Sequence, residues 1–272
     1  MEDNYYLSKD YLRSIAKNML LFAERVFLSP VGNYFSAQLI KELTPYDADG
    51  FTEKIRLGNL YDDGYVLPVA VLPFITVAYS YGVGNHIEFE KDLVSKIQVP
   101  VKLYDHTVVM LPSEDKNFSF KKEGIAATPR ENFNTFRNHV LQNGDADEKI
   151  LLKMDVEGAE WQVLKDIVET FSENIVVIIV EIHRLYRYEK IKTYLDVLRT
   201  VNAKFTLVHM HGNNCSSVVR FGDKKIPNVL ELTFIHNSFV GKKSIMASDL
   251  PSALDYPNDK ERPDLALDFW KK

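Results

Sequence analysis

Apolar residues recur along this chain in two rhythms. Ile150 to Met154, interrupted only by Lys153, and the aliphatic run 175–180 are short and continuous, as in strands buried on both faces. Leu164, Ile167, Val168 and Phe171 then repeat at the spacing of one helical face. The pattern predicts a strand, a tight loop at Asp155-Val-Glu-Gly158 and a helix packed back over the strand. Read the same way, strands fall at 74–81, 99–104, 118–125, 174–183, 203–211 and 228–236, with helices at 86–96 and 189–200 and a short helix start near Thr128-Pro. Asp63-Gly64, between two alternating arms, signals a hairpin.

Ahead of the sheet, Leu12, Ile15, Ala16, Met19, Ala23, Val26 and Phe27 share a helical face over 8–27, closed by Ser29-Pro30. A second helical piece is expected at about 35–43. The expected division is a helical extension over 1–50, a sheet domain over 51–240 and a tail over 241–272 draped on that domain. The first helices are expected to cap the domain, to join copies in a homo-oligomer, or both. Five β/α units followed by a hairpin-like pair predict an α/β fold.

Composition narrows the setting. The chain has 272 residues, net charge -5 and one cysteine, Cys215. No basic surplus grips nucleic acid or an anionic membrane. One thiol forms no intrachain disulfide and suits a reducing cytoplasm. The longest aliphatic run is far too short to span a bilayer.

Candidate chemistry gathers beyond the strand ends. Gly82-Val-Gly84-Asn85 follows a strand and opens toward a helix, where backbone can approach a cofactor. Asp105 ends the next strand about twenty residues later, the place for an acid that receives ribose hydroxyls. Glu181 and His183 share a strand face, and a carboxylate there would keep the imidazole oriented and basic. His183 is thus the candidate general base, or else a strand-end cap bonded to backbone. Asp155, Glu181 and His183, or Asn214, also form a candidate divalent-metal set. Tyr65 is a candidate lid. His209 and His211 share a strand face, one of them a candidate for the acceptor pocket. Arg184, Tyr186, Arg187 and Tyr188 either grip a phosphate-bearing or glycosyl substrate or begin an exposed helix. Lys153, odd in a core strand, needs a carboxylate partner if buried.

Lys153-Met-Asp-Val-Glu-Gly-Ala-Glu160 resembles the signature of FkbM-type S-adenosylmethionine-dependent methyltransferases. Ser80-Tyr-Gly-Val-Gly-Asn85 is similar to that family's first cofactor motif, and Asp105 falls at its ribose-binding acid. The Asp62-Asp-Gly-Tyr-Val turn, Glu181-Ile-His183, His211-Gly-Asn-Asn-Cys215 and Asp255-Tyr-Pro-Asn258 resemble a bacterial sugar or surface-glycan branch. The likeness spans roughly 55–265 and departs at Ser80, where an acid usually stands; Tyr65 or Asn85 are candidates to compensate. It implies a class I, Rossmann-like fold: a seven-stranded, mostly parallel sheet with helices on both faces and one antiparallel strand near the edge. It also implies O-methyl transfer to a sugar or nucleotide-sugar in polysaccharide biosynthesis. The cofactor would lie against Tyr65, Ser80, Gly82, Gly84, Asn85, Asp105 and Asp155. Catalysis would fall to His183, Glu181 and Asp155, and acceptor binding to His211, Asn214, Arg184 and Tyr186. Transfer to another small molecule or a protein side chain, or a non-catalytic cofactor-binding module, are the alternatives.

Overall fold

A computed structural model describes residues 30–221 and 223–271. The helix expected over 8–27 lies outside the described residues. The next one is α1 (Pro30–Glu42). Its Gln38 and Glu42 accept hydrogen bonds from Arg199, and Glu42 also from Asn202, tying it to α5 (Ile191–Lys204).

The core is a seven-stranded sheet. Its strands, from one edge to the other, are β11 (Phe205–Gly212), β14 (Leu230–His236), β10 (Ile175–Ile182), β9 (Ile150–Met154), β4 (Val77–Tyr81), β5 (Val101–Tyr104) and β6 (Phe118–Lys121). Only β14 runs antiparallel to its neighbours. Every residue of β9 and β10 is buried, as continuous apolar runs in a parallel sheet require. The chain reverses its direction of travel between β4 and β9, and crevices at such switch points receive ligands.

Strand alternation sorts the core into two layers. Tyr79, Tyr81, Leu152, Met154 and Ile178 pack against α3 (Phe136–Asn143), α4 (Glu160–Phe171), α5 and α1. Ala78, Leu103, Leu151 and Ile179 pack against α2 (Glu88–Ile97) and the hairpin of β2 (Lys54–Gly58) with β3 (Gly64–Pro68). Helices therefore cover both faces, although a hairpin supplies much of the second cover. Leu152 is fully buried, and truncating it to alanine would cost about 2–5 kcal/mol.

Several elements depart from expectation. The stretch 118–125 is not one strand: β6 stops at Lys121, and β7 (Gly124–Ile125) pairs with β8 (Phe133–Asn134) in a separate ladder. The Asp63-Gly64 turn is a longer loop, because the Arg56 side chain donates to the carbonyls of Asn59 (2.9 Å) and Tyr61 (2.6 Å) and braces it open. The basic loop after β11 forms its own hairpin, β12 (Val218–Phe221) with β13 (Lys224–Pro227). The tail is anchored as well as draped: β15 (Lys243–Ile245) pairs with β1 (Tyr46–Ala48), and Leu267 and Phe269 enter the core. No helix among the described residues is long and apolar enough to cross a membrane.

Candidate functional site

A cavity of about 900 Å3 opens beyond the carboxyl ends of β4, β5 and β9. Its floor is the glycine turn after β4. Gly82 sits at φ +74 and Gly84 at φ +51, conformations that disfavour a side chain. A Cβ on Gly82 would lie 1.6 Å from the Asp155 carbonyl oxygen, whereas one on Gly84 would meet nothing within 4 Å. The first glycine thus lets two strand ends close on each other, and the second leaves open space.

Asp105 lines the same cavity. Its Oδ1 accepts from the N–H and hydroxyl of Thr107 (both 2.6 Å), and its Oδ2 from the Gly84 N–H (2.9 Å). Burial pushes its carboxyl up, but these hydrogen bonds outweigh that and hold it below the usual carboxylate range. Beyond the Gly84 bond, Oδ2 has a second lone pair that can accept from another donor. Beside it His106 and Phe133 stand 4.6 Å apart with tilted rings, and Arg130 lies over Phe133. Together with Ile125 they line the cavity beside Asp105.

On the other side, β9 and β10 deliver the acids and the imidazole. Asp155 continues β9, its N–H bonded to the Tyr81 carbonyl (3.0 Å). The loop then turns sharply, with Glu157 at φ +58. Glu160, fully buried at the start of α4, closes that loop: its Oε1 accepts from Val156 N (3.2 Å) and Gly158 N (2.9 Å). The same oxygen accepts from His183 Nδ1 (3.0 Å). The ring's other face meets three more carboxylates. His183 Nε2 lies 3.1 Å from Glu181, 3.5 Å from Glu157 and 3.9 Å from Asp155.

That arrangement bears on the base role expected of His183. Burial opposes its charge, but hydrogen bonds to Glu160 and Glu181 and the charge on both raise it to about 11. The surrounding carboxylates thus favour the protonated ring, the form that cannot take up a proton. Burial pushes the Asp155 and Glu181 carboxyls up. Asp155 and Glu157 line the cavity; Glu181 and His183 stand behind them.

The remaining candidates divide. Asn85 and Arg184 line the cavity, and Arg184 donates to the Glu157 carbonyl (2.9 Å). Ser80 points to the opposite side of β4, buried, and donates to Glu90 of α2. Tyr65 is no lid: it is 3% exposed, edge-on to Phe89, with the Lys153 ammonium 5.4 Å from its ring centre. Lys153 itself reaches the Gly82 carbonyl (3.4 Å) and is flanked by the charges of Glu90 and Asp155. His211 is buried between Glu231 (3.2 Å) and Asp264 (3.1 Å). Those partners raise it to about 10 against burial. Asn214 exchanges hydrogen bonds with the backbone of Asp259 and pins the tail. Tyr186 is 48% exposed and outside the cavity lining. His209 is sealed against Asp255 (2.8 Å).

Sequence reasoning passed over Glu160, Glu90, His106, Arg130 and Phe133 as site residues. Glu160 stood inside the quoted motif. The others lie in elements whose approach to the site is set by topology. Arg187 and Lys190 complete a basic rim with Arg184.

The structure is similar to a putative hemolysin from Lactococcus lactis at 13% identity and a TM-score of 0.38, covering 59% of this chain and 77% of that one. No curated protein matches the sequence. The sequence profile of the methyltransferase FkbM domain matches residues 56–206, more than half of the chain and every element that lines the glycine turn and the acidic cluster. This chain belongs to the FkbM-domain methyltransferases.

Proposed function

We propose that this protein is an S-adenosylmethionine-dependent O-methyltransferase acting on a hydroxyl of a sugar or nucleotide-sugar. The observation that carries the reading is the meeting of the Gly82–Gly84 turn, Asp105 and the Asp155–Glu157 loop around one cavity. The residues fit the cofactor: open space at Gly84, a lone pair on Asp105 for ribose, an aromatic slot at Phe133 and His106, and acidic groups to receive a sulfonium. When bound, S-adenosylmethionine supplies the methyl group, whose carbon bonds to the acceptor oxygen as its bond to sulfur breaks and S-adenosylhomocysteine is left.

The chain's own groups do the rest. Orientation of the acceptor in line with the methyl accounts for most of the acceleration. Glu157, exposed at the cavity wall, is the carboxylate placed to take the hydroxyl proton, worth about 10²–10⁴ in rate. Asp155, Glu181 and His183 cluster beside it. Arg184, Arg187 and Lys190 line the same cavity and favour an acceptor that carries phosphate. A nucleotide-sugar used in polysaccharide biosynthesis in the cytoplasm has that chemistry. Calorimetry with S-adenosylhomocysteine, then a mass-shift screen of nucleotide-sugars, tests the reading. No binding at high micromolar ligand would sink it.

A further inference from the structure

We propose that Asp155, Glu181 and His183 form a divalent-cation site that orients and acidifies the acceptor hydroxyl. The proposal rests on the methyltransferase reading for its role but not for its geometry. One donor atom from each residue lies within 4.8 Å of the others. Oxygen and nitrogen ligands sit about 2.0–2.6 Å from such ions, so donors spread by up to roughly 5 Å share one centre.

Two further features point to a cation. His183 donates its Nδ1 proton to Glu160, a fully buried carboxylate that two backbone N–H groups fix in place. A carboxylate that holds one ring nitrogen in this way aims the other at a metal. That nitrogen, Nε2, faces Glu181 and Asp155. Secondly, Asp155 Oδ1 is buried and has no hydrogen-bond partner. A buried acceptor left so is destabilising, a loss that a coordinated ion removes. Glu181, with 8% of its side chain exposed, adds a second negative charge at the same point. Two carboxylates and one imidazole suit Mn2+ or Mg2+ and lack the thiolate that selects softer metals.

Access agrees. Asp155 lines the cavity, so a hydroxyl entering it reaches the cation position and becomes more acidic there. Glu157, 86% exposed and 3.5 Å from Nε2, stays free to take the proton. The methyl transfer remains redox-neutral.

The test is a titration of the full chain with Mn2+, followed by the loss of the free-ion EPR signal. One site per chain, displaced by Mg2+, is expected. Glu181→Gln and Asp155→Asn should abolish it, and Glu160→Gln should weaken it about 10–100-fold. Thermal melts identify any variant that has unfolded, and the wild-type titration needs none of them. A wild-type chain that leaves the Mn2+ signal unchanged at millimolar ion overturns the site. So does binding that survives Glu181→Gln in a folded protein. Calorimetry with S-adenosylhomocysteine on the same sample separates the two ideas: cofactor binding without Mn2+ binding sinks only the metal site.

Discussion

Gly82 and Gly84 differ by two positions and should fail in opposite ways. Both hold left-handed backbone, so alanine at either incurs about 1–2 kcal/mol of strain. Alanine also stiffens the unfolded chain, which returns about 0.4–1 kcal/mol. At Gly84 no further cost arises, because the added methyl meets nothing within 4 Å. Its net destabilisation should be about 1 kcal/mol. Gly84 lines the cavity proposed to hold the cofactor, so affinity for S-adenosylhomocysteine should drop at least tenfold. At Gly82 the methyl lands 1.6 Å from the Asp155 carbonyl oxygen. Neither side gives way easily: the Gly82 N–H donates to Tyr104 (3.0 Å), and the Asp155 N–H donates to Tyr81 (3.0 Å). Relief breaks sheet hydrogen bonds at about 1 kcal/mol each and leaves buried groups unsatisfied. Gly82→Ala should therefore lose about 3–5 kcal/mol. Urea denaturation reads the stabilities and calorimetry reads the affinities. Equal stability losses for the two variants would refute the claim that the glycine turn is pressed against the β9 end.

Lys153→Met should cost about 3–5 kcal/mol, because it leaves Glu90 and Asp155 buried without their cation; adding Glu90→Gln should recover part of that in a double-mutant cycle, and additivity would deny the coupling. Asp255 should govern an acid limb of stability. Burial pushes its carboxyl up, but hydrogen bonds from His209 and Ser252 and the nearby imidazoles outweigh that and hold it at about 2, against 3.8 unperturbed. A depressed folded-state value means the stabilisation, about 2 kcal/mol, is complete above roughly pH 4 and is lost as pH falls toward 2. Denaturation of Asp255→Asn across that range should lack the dependence, and an unchanged slope would remove Asp255 from the account. Phe133→Ala should weaken S-adenosylhomocysteine binding about tenfold, the loss of one aromatic face at about 1.4 kcal/mol, with the melting temperature little changed; full affinity in calorimetry would move the adenine elsewhere.

Short-range periodicity accounts for what was readable along the chain. The seven strands and the Asp155–Glu160 loop were legible because burial on both faces writes continuous apolar runs, and because the motif is contiguous; the single antiparallel strand followed from the family resemblance. The Arg56-braced loop was not, since a side chain bonded three to five residues away leaves no periodic trace, and neither was the break at Lys121, beyond which the chain pairs with a different strand. Tertiary structure alone decided which face each polar residue takes and which distant carboxylate it meets. Ser80 turned away from the cavity to bond Glu90, and Asn214 and His211 went to the tail. His183 met four carboxylates, drawn from two strand ends, a loop and a helix start, which together favour its protonated form. Spacing along a chain fixes which groups can be neighbours on one element. The charge state of a buried group depends on neighbours brought by crossovers, and those exist only once the sheet is assembled.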